Sequence, residues 1–243
     1  DEPWAAGRIV MLEPRRIAAR AAAERMAESL GERPGGRVGY RIRGETRTSR
    51  ETRIEVITEG VLTRMLQADP ELPGVSALIF DEVHERSIHT DLGLALAREA
   101  QEALRPDLRL LAMSATLDTG RFAALLGGAP VIESAGRMHA VETRWLDAPW
   151  SGPRGSRFED AAAGLAARAL AEAEGDALVF LPGAGEINRV AERLSARLDG
   201  VAVMPLHGSL PFERQRAALR ADPAGRRRVV LATAIAETSL TVE

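Results

Sequence analysis

The sequence predicts an α/β protein of two domains, each a parallel sheet with helices on both faces. Three observations predict it. Short apolar runs of strand length alternate along the chain with longer segments whose apolar residues recur at helical spacing. The alternation is interrupted once, between Glu133 and Arg157, where Gly136, Pro149, Gly152, Pro153 and Gly155 break the pattern. An apolar run, Ala77-Leu78-Ile79-Phe80, delivers two acids, Asp81 and Glu82, at its carboxyl end, as strands of open α/β sheets do with their functional groups.

The elements follow in order. Ile9 to Leu12 is a strand ending before Pro14, and Ile17, Ala21, Met26 and Leu30 mark a helix that Gly31 stops. Gly35 to Arg50, rich in Gly, Arg and Thr, reads as an irregular loop. Ile54 to Ile57 alternates as a strand, and Thr58 is placed to cap a short helix with Val61, Leu62, Met65 and Leu66 on its apolar face. The strand before Asp81 leads to a helix near Asp91 to Leu104. Leu110 to Met113 is the next strand, and Asp118 caps a helix that Gly127-Gly128 stops. Within the interrupted stretch one strand, Val141 to Leu146, is expected. A helix near Glu159 to Glu174 follows, then the strand Ala177 to Leu181. A helix carries Ile187, Val190, Leu194 and Leu198, stopped by Gly200. The strand Val201 to Leu206, a helix opened by Pro211, and the strand Val229 to Ala232 complete the series. The domains are expected at 1–137 and 138–243.

Composition narrows the function. The 243 residues are 45% hydrophobic and 28% charged, with a formal net charge of −3. No apolar stretch approaches the roughly 20 residues of a membrane span, and no basic-then-apolar leader opens the chain, so a cytoplasmic protein without membrane contact is expected. The first residue is Asp rather than Met, so the true start is expected upstream. No cysteine is present, which removes disulfides and thiolate zinc sites. His84 and His89 lack a third clustered ligand, and zinc is not expected. An acidic chain cannot coat polyanions indiscriminately, so any nucleic acid must lie in a local groove. All 32 basic residues are Arg, so no G-x-x-x-x-G-K-[ST] phosphate loop exists within the chain.

Several constellations carry chemistry. Two acids at a strand end can hold Mg²⁺ and a water beside a nucleotide phosphate. Asp81 would bind the ion through water, and Glu82 would orient and deprotonate the attacking water; the same acids also suit a helix N-terminus. Ser114 and Thr116 place two hydroxyls on one face of a strand end, where they suit contact with those carboxylates or ordinary capping. Pro14-Arg15-Arg16 between a strand and a helix makes a phosphate clamp or a solvated helix start. Thr58-Glu59-Gly60 at a similar junction suits a sugar–phosphate backbone. Gly183-Ala184-Gly185 resembles a dinucleotide turn, but Asn188 occupies the third glycine position and the fingerprint is incomplete. Arg226-Arg227-Arg228 reads as a solvated strand entry.

Assembled, these blocks resemble the DEAH/RHA group of superfamily 2 RNA helicases over nearly the whole chain. Met11 to Arg16 is similar to the family's motif Ia and Val56 to Met65 to motif Ib. Asp81 to Arg86 resembles motif II, and Ser114 to Thr116 motif III. Phe180 to Gly183 with Glu186-Ile187 resembles motif IV, and Ala232 to Glu243 motif V. The resemblance implies two RecA-like domains, each truncated, because motif I would lie upstream of Asp1 and motif VI downstream of Glu243. It implies ATP and Mg²⁺ as cofactors, with Asp81 and Glu82 at the metal and His84, Ser114 and Thr116 completing the catalytic set. Thr238, Ser239, Thr241 and Glu243 would face the nucleotide. Pro14, Arg15, Arg16, Thr58, Glu59, Gly60, Pro182, Gly183, Thr233 and Ala234 would face nucleic acid. Ala234 stands where the family usually has Asn, removing one polar contact. The implied partner is single-stranded RNA, or an RNA duplex with an overhang. The 243 residues alone are expected to be inactive. Two alternatives remain: a non-catalytic RecA-like module that binds nucleic acid or protein, and a DNA-directed superfamily 2 translocase.

Overall fold

The computed structural model describes residues 2–115, 119–134, 136, 139–148, 150, 152 and 156–236, without the side chains of residues 119, 156, 157 and 235. The chain divides into two compact units, Asp1–Ser134 and Ala135–Glu243.

The first unit is built on a six-stranded sheet. In chain order its strands are β1 (Arg8–Glu13), β2 (Val38–Ile42), β3 (Glu45–Arg47), β4 (Ile54–Thr58), β5 (Val75–Phe80) and β6 (Arg109–Ala112). In space the order is β3-β2-β4-β1-β5-β6, parallel throughout except for the β2–β3 hairpin. Parallel neighbours need crossovers, and the helices α1 (Arg16–Ser29), α2 (Glu59–Ala68) and α3 (Ile88–Ala103) supply them; α4 (Thr119–Leu125) follows β6. On one face α2 and α3 press Leu62, Leu66, Leu94 and Ala97 against Leu12, Ile57, Leu78 and Phe80. On the other, α1 packs Ala19, Ala23 and Ala27, with the half-buried Met26, against Val38, Tyr40, Ile42 and Val56. Gly31, at φ +70°, stops α1, as the sequence predicts.

The segment read as an irregular loop contains the β2–β3 hairpin. Its two-residue turn, Arg43-Gly44, puts Gly44 at φ +83°. Gly and Arg within it hide the strand pattern. Gly39 is there for packing: a Cβ at this position would lie 2.4 Å from the Arg47 carbonyl oxygen. In β4 the alternation that points Glu55 outward misleads. The strand is covered on both faces, and Glu55 is 1% exposed. Arg8 and Arg41 each approach its carboxylate to 2.8 Å, so the buried charge is matched.

The second unit holds a three-stranded parallel sheet of β7 (Ala177–Phe180), β8 (Ala202–Leu206) and β9 (Arg228–Ala232), in the order β7-β9-β8. Helix α5 (Ser156–Glu172) precedes it, and α6 (Ala184–Ser195) and α7 (Phe212–Leu219) connect its strands. Ile187, Val190 and Leu194 of α6 pack with Leu170 of α5 and with Val229 and Leu231 of the central strand.

Two expectations fail here. Val141 to Leu146 forms no strand: alternation specifies a face, but no other described strand pairs with it. Val141 and Trp145 stand 87% exposed. The Arg226-Arg227-Arg228 run is not a solvated entry. Arg228 is 2% exposed: its backbone N–H and its Nε donate to Asp176 at 2.8 and 2.7 Å, and a further N–H donates to the Arg220 carbonyl. Arg227 donates to the carbonyls of Leu170, Ala173 and Gly175, capping the end of α5, and Arg226 grips Asp222 at 2.7 Å. Asp118, read as a helix cap, lies outside the described residues.

Candidate functional site

Parallel register brings the ends of four strands of the first unit to one edge. Leu12 pairs with Phe80, Phe80 with Ala112, and Glu13 with Thr58. Pro14-Arg15, Glu59-Gly60, Asp81-Glu82 and Met113-Ser114 therefore emerge together, at the carboxyl edge where ligands of such sheets gather.

The acids do not open a helix. The Asp81 N–H extends the ladder to the Leu12 carbonyl, 3.0 Å away, and the Asp81 carboxylate accepts the Glu82 N–H at 2.8 Å. Glu82 then turns left-handed, at φ +53°, into the single 3-10 turn Val83–Glu85, and Arg86 leaves it at φ +54°. Two non-glycine residues in this region cost about 1–2 kcal/mol each. The turn is held by the buried Val83, whose N–H meets the Met113 carbonyl at 3.2 Å, while the Met113 N–H meets that of Phe80 at 2.8 Å. The next helix, α3, starts at Ile88. His84 Nδ1 sits 3.3 Å from the Glu82 carboxylate, and Arg15 lies 3.5 Å from Glu85. Ser114 is half-buried just beyond β6; Thr116 lies outside the described residues.

Sequence reasoning passes over one member of this cluster. Glu13 ends β1 at 5% exposure, and the parallel register of β1 and β5 sets it beside Asp81. Burial first, then the negative charges of Asp81, Glu82 and Glu85, push its pKa up to about 8. The only signal in the sequence is an acid that closes an apolar run without interrupting the strand.

The other expected contacts divide by exposure. Arg15 stands at the cap position of α1, and Arg16, its first residue, is exposed. Pro14 is half-buried. Thr58 stands at the cap position of α2, but its side chain makes no capping bond. Glu59 accepts the Thr90 hydroxyl at 2.8 Å. Gly60 is exposed, and a Cβ there would meet nothing within 4 Å. Beside it, α2 and the β2–β3 turn line a groove of about 490 Å³ that carries Arg41, Arg43 and Arg64.

The second unit repeats the arrangement within its own sheet. The Leu181 N–H bonds the Ala232 carbonyl at 2.8 Å, after which Pro182 is exposed and Gly183 caps α6 in extended conformation. The Thr233 N–H meets the Leu206 carbonyl at 3.3 Å, and Ala234 is exposed at the start of the 3-10 turn Ala234–Ala236. Thr238, Ser239, Thr241 and Glu243 lie outside the described residues.

Among the described residues no group of three or more His, Cys, Asp or Glu forms a metal cage. Mg²⁺ binds one or two carboxylates, keeps several waters, and takes the rest of its shell from substrate phosphates. Asp81 and Glu82 are donors of that kind. No described helix is long and apolar enough to cross a membrane.

An acid turn thus closes an interior parallel strand, with a basic helix start beside it at the same carboxyl edge. The model of the DEAD/DEAH box helicase family matches residues 2–123, and that of the helicase conserved C-terminal domain matches 162–243. The chain belongs to this family. It is 52% identical over 242 residues to the ATP-dependent RNA helicase HrpB of Escherichia coli strain K12, which covers 99% of this chain and 29% of that protein. It superposes on the crystal structure of the E. coli DEAH/RHA helicase HrpB with a TM-score of 0.89 and on that of the E. coli DExH-box NTPase HrpB with 0.78. Each shares 52% identity, with 100% of this chain and 30% of the other covered. The chain thus spans under a third of the length of the relatives it matches.

Proposed function

We propose that the protein containing this chain is a cytoplasmic ATP-dependent RNA helicase. In this reading residues 1–137 belong to its ATP-binding RecA-like domain and 138–243 to its C-terminal RecA-like domain. The acid turn carries the reading: Asp81 and Glu82 are fixed by the ends of β1 and β6 instead of opening a helix.

Phosphoryl transfer is mostly positioning and charge neutralisation. Mg²⁺ would neutralise charge on the ATP phosphates, with Asp81 holding it through water. Glu82 would orient the attacking water and take its proton, and His84 beside the Glu82 carboxylate would restrain that side chain. Ser114 and Thr116 would relay the nucleotide state, and Thr238, Ser239, Thr241 and Glu243 would complete the nucleotide side. Arg15, Arg16, Gly60 and the groove of Arg41, Arg43 and Arg64 would follow the RNA backbone, with Pro14, Thr58 and Glu59 shaping the path. Pro182, Gly183, Thr233 and Ala234 would do the same in the second unit. These contacts reach phosphate and sugar and carry no base preference.

In the full-length protein Glu82→Gln should nearly abolish RNA-stimulated ATP hydrolysis while sparing ATP binding, because the amide keeps the shape and loses the proton acceptor. Retention of most turnover removes Glu82 from this role. Equal stimulation by DNA would favour the DNA translocase. The non-catalytic reading has its own support: with no lysine, the 243 residues contain no phosphate-loop motif. ATP turnover by these residues alone would exclude it.

A further inference from the structure

Glu59 is the one acid among the residues proposed to follow the RNA, and a carboxylate repels a phosphate. Its side chain is engaged elsewhere: it accepts the Thr90 hydroxyl at 2.8 Å. Thr90 is 3% exposed and lies in the first turn of α3. A threonine hydroxyl in a helix commonly bonds a carbonyl one turn back. This one crosses instead to the first residue of α2, 31 positions away in sequence. One turn further along, α3 sets Gly93 against α2, where a Cβ would lie 3.2 Å from Leu62 Cδ2. A hydrogen bond at their starts and close packing at the next level join the two helices.

The same start of α3 is fastened to the acid turn. Only Ser87 separates Arg86, which leaves the turn, from Ile88, which begins the helix. Arg86 donates to Asp91, one residue beyond Thr90, at 2.8 Å through Nη2 and 3.3 Å through Nε. The turn itself is slung between two left-handed residues, Glu82 and Arg86. Loop positions of this kind absorb changes of backbone angle when neighbouring elements shift. We propose that Thr90 is a positioning residue: through its bond to Glu59 it makes the start of α2 and the acid turn respond together, so that RNA seated at α2 adjusts the setting of Glu82 toward the nucleotide. This rests on the roles proposed above for Glu82 and for the start of α2.

The test uses the full-length protein. ATP turnover is measured with and without a single-stranded homopolymeric RNA, and the affinity for that RNA is measured by fluorescence anisotropy. Thr90→Val exchanges the hydroxyl for a methyl of nearly the same size. It should lower the ratio of RNA-stimulated to basal kcat by roughly 2- to 30-fold, the span for residues that couple two sites. Basal kcat and RNA affinity should stay close to wild type. Thr90→Ser keeps the hydroxyl and should restore the ratio. Thermal unfolding is recorded alongside, and Thr90→Ala replaces the valine variant if that one fails to fold. A wild-type ratio in the valine or alanine variant overturns the proposal. So does an equal loss of basal and stimulated turnover, which is what a structural role alone would give. A serine variant as poorly stimulated as the valine one overturns it too. If the wild-type protein turns over ATP without responding to RNA, the proposed function falls and this inference with it. If it responds and the valine variant responds equally, only the role of Thr90 falls.

Discussion

Arg228 and Asp176 allow a direct test of what removing each half of a buried ion pair costs. Asp176→Ala takes two acceptors from Arg228, those of its backbone N–H and its Nε. The guanidinium is 2% exposed, and one of its N–H groups also donates to the Arg220 carbonyl. Hydrogen bonds to charged groups are worth about 1.5–3 kcal/mol each, and orphaning a buried ion costs about 3–5 kcal/mol. The first figure applies, because Arg228 keeps other partners and the aspartate side chain is itself 37% exposed, so Asp176→Ala should cost about 1.5–3 kcal/mol. Arg228→Met removes the buried charge instead and leaves an aspartate that can turn to water. It should cost about 1–2 kcal/mol, the range for an imperfect volume match. The assay is equilibrium urea unfolding followed by the fluorescence of Trp150, which stacks edge-on against Phe158 at 5.3 Å in the same unit. Trp4→Phe removes signal from the first unit. The pair also sets an acid limit. Burial pushes the Asp176 carboxyl upward, but the bonds and charge from Arg228 outweigh it, and the net shift is below the ordinary value of 3.8. A depressed folded pKa means stability that is present above the unfolded value and lost as pH falls through the folded one. Asp176→Ala should therefore flatten the stability curve below about pH 4. If Arg228→Met proves as damaging as Asp176→Ala, or if both cost under about 1 kcal/mol, the argument from desolvation is refuted.

Two further outcomes follow from exposure at the carboxyl edge and in the hairpin. Arg16 is exposed while Arg15 already faces Glu85, so Arg16→Ala should lower the salt dependence of binding to unrelated RNA single strands by about one unit of slope, with Arg15→Ala adding less; titrations with unchanged slopes would make both a solvated helix start. Glycine to alanine should separate two roles: Gly39→Ala drives a methyl to 2.4 Å from the Arg47 carbonyl and should cost about 1–3 kcal/mol, whereas Gly60→Ala enters open space and should weaken RNA binding with stability unchanged, as read by denaturation and by titration.

Sequence pattern exposes what depends on one strand and its own two faces. β1, β4, β5 and β9 are legible because their apolar runs are long enough to bury on both sides and end at acids, Thr or Pro. It fails where the answer lies in a neighbour. Val141 to Leu146 alternates correctly, yet alternation supplies no partner strand. The β2–β3 hairpin is hidden because Gly39 is selected by the nearness of Arg47, and Arg41 by the buried Glu55, neither of which is adjacent in sequence. Arg228 reads as solvated because a lone sequence cannot show that Asp176 lies beside it. The acids of the site were readable as a pair, Asp81 and Glu82. The third member, Glu13, was not, since sixty-odd residues and a crossover separate it from Asp81.

The two edges of the first sheet handle charge in opposite ways. At the amino-terminal ends of the strands, every cation considered above has an acceptor. Arg8 opens β1 and meets Glu55, the second residue of β4. Arg105, ahead of β6, donates to the carbonyls of Glu71, Leu72 and Val75. In the second sheet Arg227 and Arg228 do the same at the entry to β9. At the carboxyl-terminal ends of the first sheet, Glu13, Asp81, Glu82 and Glu85 crowd together, two residues of the turn are left-handed, and Glu13 is held far above its ordinary pKa. An edge that only had to be stable would distribute its charges as the amino edge does. Like charge and backbone strain gathered at one edge are tolerable because the rest of the sheet offsets them, and in the proposed reading that edge takes a cation and a polyanionic ligand. Substitutions at the amino edge should therefore register first in unfolding, and those at the carboxyl edge first in metal, nucleotide and RNA binding.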